Sequence, residues 1–211
     1  MSELASGTNV PGATDATRRE RPGKIAILKA AVEVMGEDGY EGASIREMAG
    51  RAGVSVAALY YHFPSKLDLL REFLDEAWNV TLARLDRRLE AAGPDPTARL
   101  DAIVGTLISS HLNDEFSQLA SNVAFREYTR LNPPERKAID KKRRSLLSLV
   151  EGVLAEGNAD GSFAVTDLKE AARAITILAT SLVEPYRDMG KSLDQVIETY
   201  QGFARAIARN R

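Results

Sequence analysis

The chain has 211 residues, a formal net charge of −2, 44% hydrophobic residues and no cysteine. This composition is that of an ordinary globular protein, and it excludes disulfide bonds and thiolate chemistry. Neither an apolar run long enough to span a membrane nor an apolar N-terminal signal is present, so we expect a cytoplasmic protein. Because the net charge is negative, any binding to nucleic acid has to come from individually placed cations.

Residues 1–23 are polar and lack periodicity, which predicts a disordered N-terminal arm. The end of this arm is locally basic, so it either reaches DNA, as arms do in other DNA-binding proteins, or forms an inert solvated tail. From Lys24 to Asp38 apolar residues recur at helical spacing, and Gly39 is expected to stop this helix. The residues expected to point inward are Ile25, Leu28, Val32 and Met35.

The segment 44–63 has the pattern of two short helices joined by a glycine turn. Ser44 and Glu47 have the spacing of a capping box at the start of the first helix. Gly53 accepts the left-handed backbone that a sharp turn requires, and Ser55 is a suitable N-cap for the second helix. That second helix has about seven residues and a length of about 10 Å, so it fits a B-DNA major groove about 12 Å wide.

The rest of the chain is divided by proline and glycine into amphipathic helices. We predict an all-α fold with about nine helices. It has a three-helix helix-turn-helix domain over residues 24–70 and a larger helical domain over residues 71–211. The helices after the motif are predicted over about residues 65–92, 96–112, 115–131, 134–156, 167–188 and 192–209.

The run from Gly53 to Lys66 reads Gly-Val-Ser-Val-Ala-Ala-Leu-Tyr-Tyr-His-Phe-Pro-Ser-Lys. Together with the segment from Lys24 to about Leu74 around it, this run resembles the DNA-binding domain of the TetR family of one-component transcriptional regulators. The resemblance implies a set of residues that approach DNA. These residues are Ser44, Arg46, Ser55, Val56, Ala57, Ala58, Tyr60, Tyr61 and Lys66.

The members of this set fall into groups with different expected roles. The residues implied to lie nearest the bases, Val56 to Ala58, offer no side-chain hydrogen bond to a base edge. Direct readout is therefore expected from Arg46, Tyr61 and the N-terminal arm. Tyr60 and Lys66 are expected to contact phosphates, which position the protein without reading sequence.

The resemblance also implies an assembly and a mode of action. A symmetric homodimer is implied through the helices over residues 167–188 and 192–209. Its two-fold axis places two reading helices about 34–36 Å apart on a palindromic operator. The alternative is that these apolar faces pack only inside the monomer. The implied function is a ligand-responsive repressor that a small lipophilic effector releases from DNA.

An effector cavity is implied in the region 95–188, which carries no motif specific to one ligand. Residues 130–136 and the glycine-containing turn after residue 155 resemble family members that regulate lipid and acyl-CoA metabolism. A basic run at residues 136–144 is either a solvated face or a grip on the phosphates of an acyl-CoA. The candidate effector contacts, each of which could instead be core or surface, are His111, Phe116, Asn122, Phe125, Arg126, Tyr128 and Tyr186.

Two other classes of protein compete with this interpretation. One is a helical lipid-binding or carrier protein without DNA binding. The other is an enzyme, which is disfavoured because the chain has two histidines, no cysteine, no glycine-rich phosphate loop and no metal-ligand cluster. We therefore expect no catalytic residue, no metal and no cofactor.

Overall fold

The computed structural model describes the backbone of residues 15–182 and 190–209, with side chains from residue 23 onward. Within those ranges the chain forms nine α-helices and one 3₁₀ turn and no strand, which confirms the predicted all-α class. None of the described helices is both long and apolar enough to cross a lipid bilayer. The helices are α1 (Asp15–Gly42), α2 (Ile45–Arg51), α3 (Val56–His62), α4 (Lys66–Ala92), α5 (Pro96–Leu112), α6 (Glu115–Glu127), α7 (Pro133–Asp160), α8 (Leu168–Thr180) and α9 (Leu193–Ala208), and the 3₁₀ turn is Tyr128–Arg130.

Helix α1 begins earlier than the sequence pattern predicted. It starts at Asp15, so the last part of the segment 1–23, which was expected to be disordered, has a helical backbone. Residues 18–21 are three arginines and a glutamate, and these residue types have high helix propensity. Low hydrophobicity favours disorder, but helix propensity favours a helical backbone in this short stretch. Residues 1–14 lie outside the described part of the chain.

The inward face of α1 is also rotated relative to the prediction. Ile25 was expected to be buried, but its side chain is 65% exposed, whereas Ile27 is fully buried. The predicted stop is confirmed, because Gly39 has a φ of 70° and interrupts the helical backbone. A positive φ is costly for residues with a Cβ atom, so glycine suits this position.

The capping box predicted at the start of α2 does not form. Ser44 is the N-cap, but its side chain accepts no capping hydrogen bond. The Glu47 carboxylate instead accepts a hydrogen bond from Arg51 Nη2 at 2.6 Å. Arg51 also donates to both carboxylate oxygens of Glu37 on α1, at 2.7 and 2.5 Å, and these bonds lower the pKa of Glu37. The arginine therefore ties α2 to α1 and keeps Glu47 away from the helix start.

The other predicted caps are formed. Ser55, Ser65 and Asp167 each accept the backbone N–H three residues further on. Ser192 and Gln195 form a complete capping box at the start of α9. By contrast, α6 ends at Glu127 rather than near residue 131, and a 3₁₀ turn follows. A 3₁₀ turn is a common ending for an α-helix, and Asn132, whose side chain caps α7, follows it after one residue.

Two hydrophobic cores organise the molecule. The first belongs to the head, by which we mean α1, α2, α3 and the first three turns of α4, and it includes Met48, Leu59 and Leu69. The second belongs to the body, by which we mean α5, α8, α9 and the later parts of α4 and α7. Each fully buried leucine or isoleucine in these cores contributes about 1.5–3 kcal/mol.

The head core is completed by side chains that come from far along the sequence. Val123 on α6, Leu131 after the 3₁₀ turn and Ile139 on α7 are each at most 1% exposed within it. Further along α7, residues 146–154 pack in the body core. Helix α7 therefore belongs to both cores, and the head is held against the body by buried apolar contacts.

Candidate nucleic-acid interface

Helix α3 presents one face to solvent and is anchored by the other. The Ser55 hydroxyl accepts the Ala58 backbone N–H at 3.1 Å and so starts the helix. Leu59 and, just after the helix, Phe63 are at most 2% exposed and fix it to the head core. On the opposite side Tyr61 is 75% exposed. The outer face of the seven-residue helix α3 is therefore accessible to a groove of DNA.

The remaining predicted DNA contacts lie on the exposed sides of α2 and α3. Tyr60 is 47% and Val56 37% exposed, and Ala58 is half-buried. Arg46 is exposed, and no hydrogen bond or ion pair within the described residues holds its guanidinium group. The other exposed members of the set are Ser44, Ser55 and Ala57.

The ammonium group of Lys66, which was expected to contact a DNA phosphate, is bound by groups of the protein itself. Its ammonium group donates to the backbone carbonyls of Tyr40, Glu41 and Ala43, at 2.5, 3.3 and 3.1 Å. It also lies 4.5 Å from the centre of the Tyr40 ring. Carbonyls at the end of a helix attract a cation, so Lys66 fastens the end of α1 to the start of α4. All three of its protons are used inside the protein.

The effector candidate His111 on α5 is held in a polar pair with a residue of α6. Its Nδ1 lies 2.7 Å from the Ser121 hydroxyl of α6. Burial lowers the pKa of His111 from its ordinary 6.5 to about 4, because an imidazolium ion would lose its hydration there. The imidazole is therefore neutral at pH 7 and offers one donor and one acceptor.

The other effector candidates are not brought together around a cavity. Phe125 is 79% exposed and Phe116 38% exposed, with Lys29 stacked 5.6 Å from the Phe116 ring centre. Arg126 is exposed and donates to the Met35 carbonyl of α1 at 3.4 Å. These three side chains face solvent or the head, because this part of α6 packs against α1. Asn122 is partly buried, and Tyr186 lies outside the described residues.

Tyr128 packs against the basic stretch at the start of α7. Its hydroxyl donates to the Asp140 carboxylate, and burial, together with this bond, raises the pKa of Tyr128. The guanidinium groups of Arg136 and Arg143 each lie 5.3 Å from its ring centre. Two members of the basic run are thus engaged by an aromatic ring, and Lys142 is engaged by Asp75 at 2.6 Å.

The last two described helices each bury one face and expose apolar residues on another. On α8 the buried residues are small or branched, and Ile177 is 58% exposed. On α9 Phe203 is 50% exposed, although the opposite face is buried in the body core. Residues 183–188 of the predicted dimerisation helix lie outside the described part of the chain.

A cationic groove between α4 and α7 could not be recognised from the sequence. Arg71 on α4 lies beside Lys137, Lys141 and Arg144 of the basic run. The sequence showed the run on α7, but no local pattern connects it to an arginine more than sixty residues earlier.

Comparison with known families establishes the class of the protein. A sequence model described as "Bacterial regulatory proteins, tetR family" matches residues 27–73, which contain α2 and α3. A second model, described as "Tetracyclin repressor-like, C-terminal domain", matches residues 93–208, more than half of the chain. The chain belongs to the TetR family, and it is a DNA-binding transcriptional regulator with a ligand-binding C-terminal part.

Individual relatives support this assignment along nearly the whole chain. The HTH-type transcriptional repressor KstR2 of Rhodococcus jostii (strain RHA1) is 30% identical over 205 residues, which are 90% of this chain and 93% of the relative. The fatty acid metabolism regulator protein of Bacillus subtilis (strain 168) is 28% identical over 68% of this chain and 72% of its own length. A crystal structure of AibR in complex with isovaleryl coenzyme A and operator DNA has the same fold, with a TM-score of 0.75 at 20% identity over 90% of this chain and 100% of that one.

Proposed function

We propose that the protein is a cytoplasmic, homodimeric repressor that binds a palindromic operator and leaves it when a lipophilic effector binds the body. The observation that supports this proposal is the exposed face of α3, whose opposite face is anchored in the head core by Leu59 and Phe63. The R. jostii relative that matches most of the chain is a repressor, which favours repression over activation.

The DNA contacts follow from exposure and chemistry. Val56 and Ala57 let the α3 backbone approach the bases and offer methyl groups to thymine. Arg46 and Tyr61 supply the hydrogen bonds that distinguish bases, and Tyr60 contacts a phosphate. Lys66 acts as a positioning residue, because its ammonium group already binds three carbonyls within the head.

The homodimer is formed through the outer faces of α8 and α9. Ile177 and Phe203 are apolar and at least half exposed in the single chain. A two-fold contact would bury both and present two copies of α3 about 34–36 Å apart, one turn of duplex DNA.

The effector is a lipophilic acyl compound. The B. subtilis relative regulates fatty acid metabolism, and the AibR structure contains an acyl-CoA. The neutral His111–Ser121 pair offers a polar contact for such a compound between α5 and α6. Because α6 also packs on α1, an effector that fits only one position of α6 shifts the head.

Fluorescence anisotropy with the DNA upstream of the protein's own gene tests the DNA assignment. We expect Tyr60→Ala to weaken binding to all sequences about fivefold and Arg46→Ala to relax sequence preference. Phe125→Ala, which removes an exposed aromatic ring from α6, is the control and should bind as the wild type does.

Two outcomes would contradict this assignment. Unchanged affinity in both Tyr60→Ala and Arg46→Ala would remove α3 and α2 from the interface. Absence of any specific binding by the wild type, together with binding of fatty acids, would favour the lipid-carrier alternative.

A further inference from the structure

The ring of Tyr40, near the end of α1, is contacted by two cations. The Lys66 ammonium group of α4 lies 4.5 Å from the ring centre, and the Arg130 guanidinium group lies 4.7 Å from it. Lys66 belongs to the head, whereas Arg130 is the last residue of the 3₁₀ turn after α6 and lies outside the head. Both cations are attracted by the face of an aromatic ring.

Arg130 is also held by two carboxylates, one from each of the segments that meet here. Its Nε donates to Glu127, whose side chain is 8% exposed, and its Nη1 donates to Glu41 of α1 at 2.5 Å. A carboxylate as buried as that of Glu127 is costly without a cationic partner, so this pair is expected to stay closed. A guanidinium group is planar and has five donors, so one arginine serves both carboxylates and the ring at the same time.

The other cation, Lys66, closes the segment that carries the reading helix. Its ammonium group binds the Ala43 carbonyl at 3.1 Å, so the residues just before and just after the segment 44–65 are joined. This segment contains α2 and α3 and therefore most of the predicted DNA contacts. The same ammonium group binds the Tyr40 carbonyl at 2.5 Å. Tyr40 therefore contacts the point where both ends of this segment meet, through its carbonyl and through its ring.

These contacts form a continuous path from outside the head to that point. Arg130 contacts the Tyr40 ring, and Tyr40 contacts Lys66. The residue after Arg130 is Leu131, which is 1% exposed in the head core, so apolar packing anchors the turn beside the ion pairs.

We propose that Arg130 is a positioning residue for DNA recognition. It fixes the end of α1 through the Tyr40 ring and the Glu41 carboxylate, and so holds α2 and α3 in the orientation in which they meet DNA. The inference rests on the proposed function, in which α3 reads the operator, and it adds a residue that touches no DNA itself. Sequence-specific binding should then depend on Arg130, whereas attraction to DNA of any sequence should not, because that attraction comes from cations that face phosphates.

Fluorescence anisotropy of the full-length protein tests this role, with the DNA upstream of its own gene and with unrelated DNA of equal length. We expect Arg130→Met to weaken binding to the upstream DNA by about fivefold and to leave binding to unrelated DNA within about twofold of the wild type. Arg130→Lys keeps the charge but lacks the planar fork, so it should give an intermediate loss.

A second variant separates positioning from folding. Arg130→Met alone leaves the buried Glu127 carboxylate unpaired, which destabilises the folded protein. The double variant Arg130→Met with Glu127→Gln removes both charges, so it should fold normally and show the same loss of specific binding. Chemical denaturation measures the stability of each variant.

The route through Tyr40 has a readout of its own. Tyr40→Phe keeps the ring and should bind the upstream DNA as the wild type does, whereas Tyr40→Leu removes the ring and should lose affinity as Arg130→Met does. If Arg130 acts through the ring, combining Tyr40→Leu with Arg130→Met should cost less than the product of the two separate losses. Independent structural roles of the two residues would instead give losses that multiply.

The matched control is Arg99→Met. Arg99 of α5 pairs with Glu156 of α7, so this substitution removes the same charge and an arginine–carboxylate pair between two elements within the body. It should bind both DNA fragments as the wild type does.

Three results would overturn the inference while the wild type binds specifically. They are unchanged affinity for the upstream DNA in Arg130→Met and in its double variant with Glu127→Gln, an equal loss in Arg99→Met, and losses that multiply in the combination with Tyr40→Leu. A fourth is equal weakening on all sequences in Arg130→Met, with the slope of log affinity against log salt concentration reduced by about one, because Arg130 would then contact a phosphate itself. Absence of specific binding by the wild type would overturn the proposed function, and this inference with it.

Discussion

The ammonium group of Lys66 lies where the last carbonyls of α1 converge. It binds the carbonyl of Ala43, in the link between α1 and α2, as well as two carbonyls of the α1 end. The same lysine is the first residue of α4, so one side chain links the end of α1 and the start of α2 to α4. Its effect on DNA binding is therefore expected to be indirect, through the orientation of α3.

We expect Lys66→Met to lower the free energy of unfolding by about 1–3 kcal/mol, because partly buried carbonyls lose a charged donor. Chemical denaturation measures this change. Lys169→Met is the control, because Lys169 is exposed and no hydrogen bond to it is formed within the described residues. A variant of normal stability whose operator binding is weaker and less salt-dependent would show instead that Lys66 contacts a phosphate.

His111 gives the body a dependence on pH. Its pKa is about 4 in the folded protein against an ordinary value of 6.5, because burial disfavours the charged ring. Above pH 6.5 the ring is neutral in both the folded and the unfolded state, so His111 causes no loss of folding stability there. Between the two values the unfolded chain takes up a proton that the folded chain does not, so stability falls as the pH decreases.

This linkage predicts a loss of at most about 3 kcal/mol between pH 7 and pH 4. Denaturation series at several pH values measure it. His111→Gln should flatten this part of the pH profile, because glutamine does not titrate. The control is His62→Gln, which removes the only other histidine and should leave the His111 component in place. A profile that is equally steep in His111→Gln would mean that other groups cause the dependence.

At the scale of elements, α6 is the described helix that joins the candidate effector region to the head. It carries Ser121, the partner of His111, and it packs directly on α1. At the crossing Gly36 of α1 leaves room for Leu119, and a Cβ atom on Gly36 would lie 2.2 Å from Leu119 Cδ1. Just after α6, Arg130 stacks on the Tyr40 ring at 4.7 Å and pairs with Glu41 at 2.5 Å. A displacement of α6 must therefore move α1.

Substitution of the glycine at this crossing should separate the two helices. We expect Gly36→Ala to cost about 1–3 kcal/mol of stability, because Leu119 has to move. Operator affinity should fall as well, because α1 supports α3. Thermal unfolding and DNA titration give the two readouts.

The control for this substitution is Gly152→Ala on α7, where no atom lies within 4 Å of the new Cβ. That change should stabilise the helix by about 0.5–1 kcal/mol. Adding Leu119→Ala to Gly36→Ala should recover part of the loss by restoring space. If Gly36→Ala alone leaves the free energy of unfolding unchanged or raises it, Leu119 and α6 can move aside without an energetic penalty.

At the scale of the whole molecule, the described chain leaves apolar side chains uncovered on α8 and α9. Ile177 and Phe203 are apolar and exposed on two helices that pack against each other, and a two-fold partner is the occupant proposed above. One subunit offers a single short reading helix, so we expect operator affinity to depend on the second copy.

Ile177→Glu combined with Phe203→Glu should therefore convert the dimer to a monomer and reduce operator binding by at least about tenfold. Sedimentation velocity measures the assembly, and anisotropy measures DNA binding. Phe125→Glu places one such charge at a more exposed phenylalanine outside these helices, and it should leave the dimer intact. A monomeric wild type, or a dimer that survives the double change, would place the interface elsewhere.

The features that could be predicted from the sequence are those decided by neighbouring residues. The turn at Gly53, the cap at Ser55 and the start of α4 at Ser65 depend on side chains within a few positions of each other. The capping box at Ser44 failed because Arg51, held by Glu37 of another helix, takes the Glu47 carboxylate. Such competition depends on tertiary structure and leaves no local pattern.

The candidate sites show the same division. The exposed face of α3 follows from periodicity, whereas the role of Lys66 depends on carbonyls more than twenty residues away. Phe125 has the residue type of a cavity lining, but the rotation of α6 turns it to solvent. The helical phase of α1, which buries Ile27 rather than Ile25, likewise depends on which neighbours pack against it.

The three side chains that complete the head core from outside, Val123, Leu131 and Ile139, limit how freely this head could be exchanged. An excised fragment ending near residue 75 would expose apolar surface of the head core to water where those three groups now pack. Joined to a foreign body, it would fold well only if that body offered apolar groups of matching shape at the same places. Chimaeras between this protein and its relatives should therefore succeed or fail according to these three positions, even where the recognition helix is left untouched.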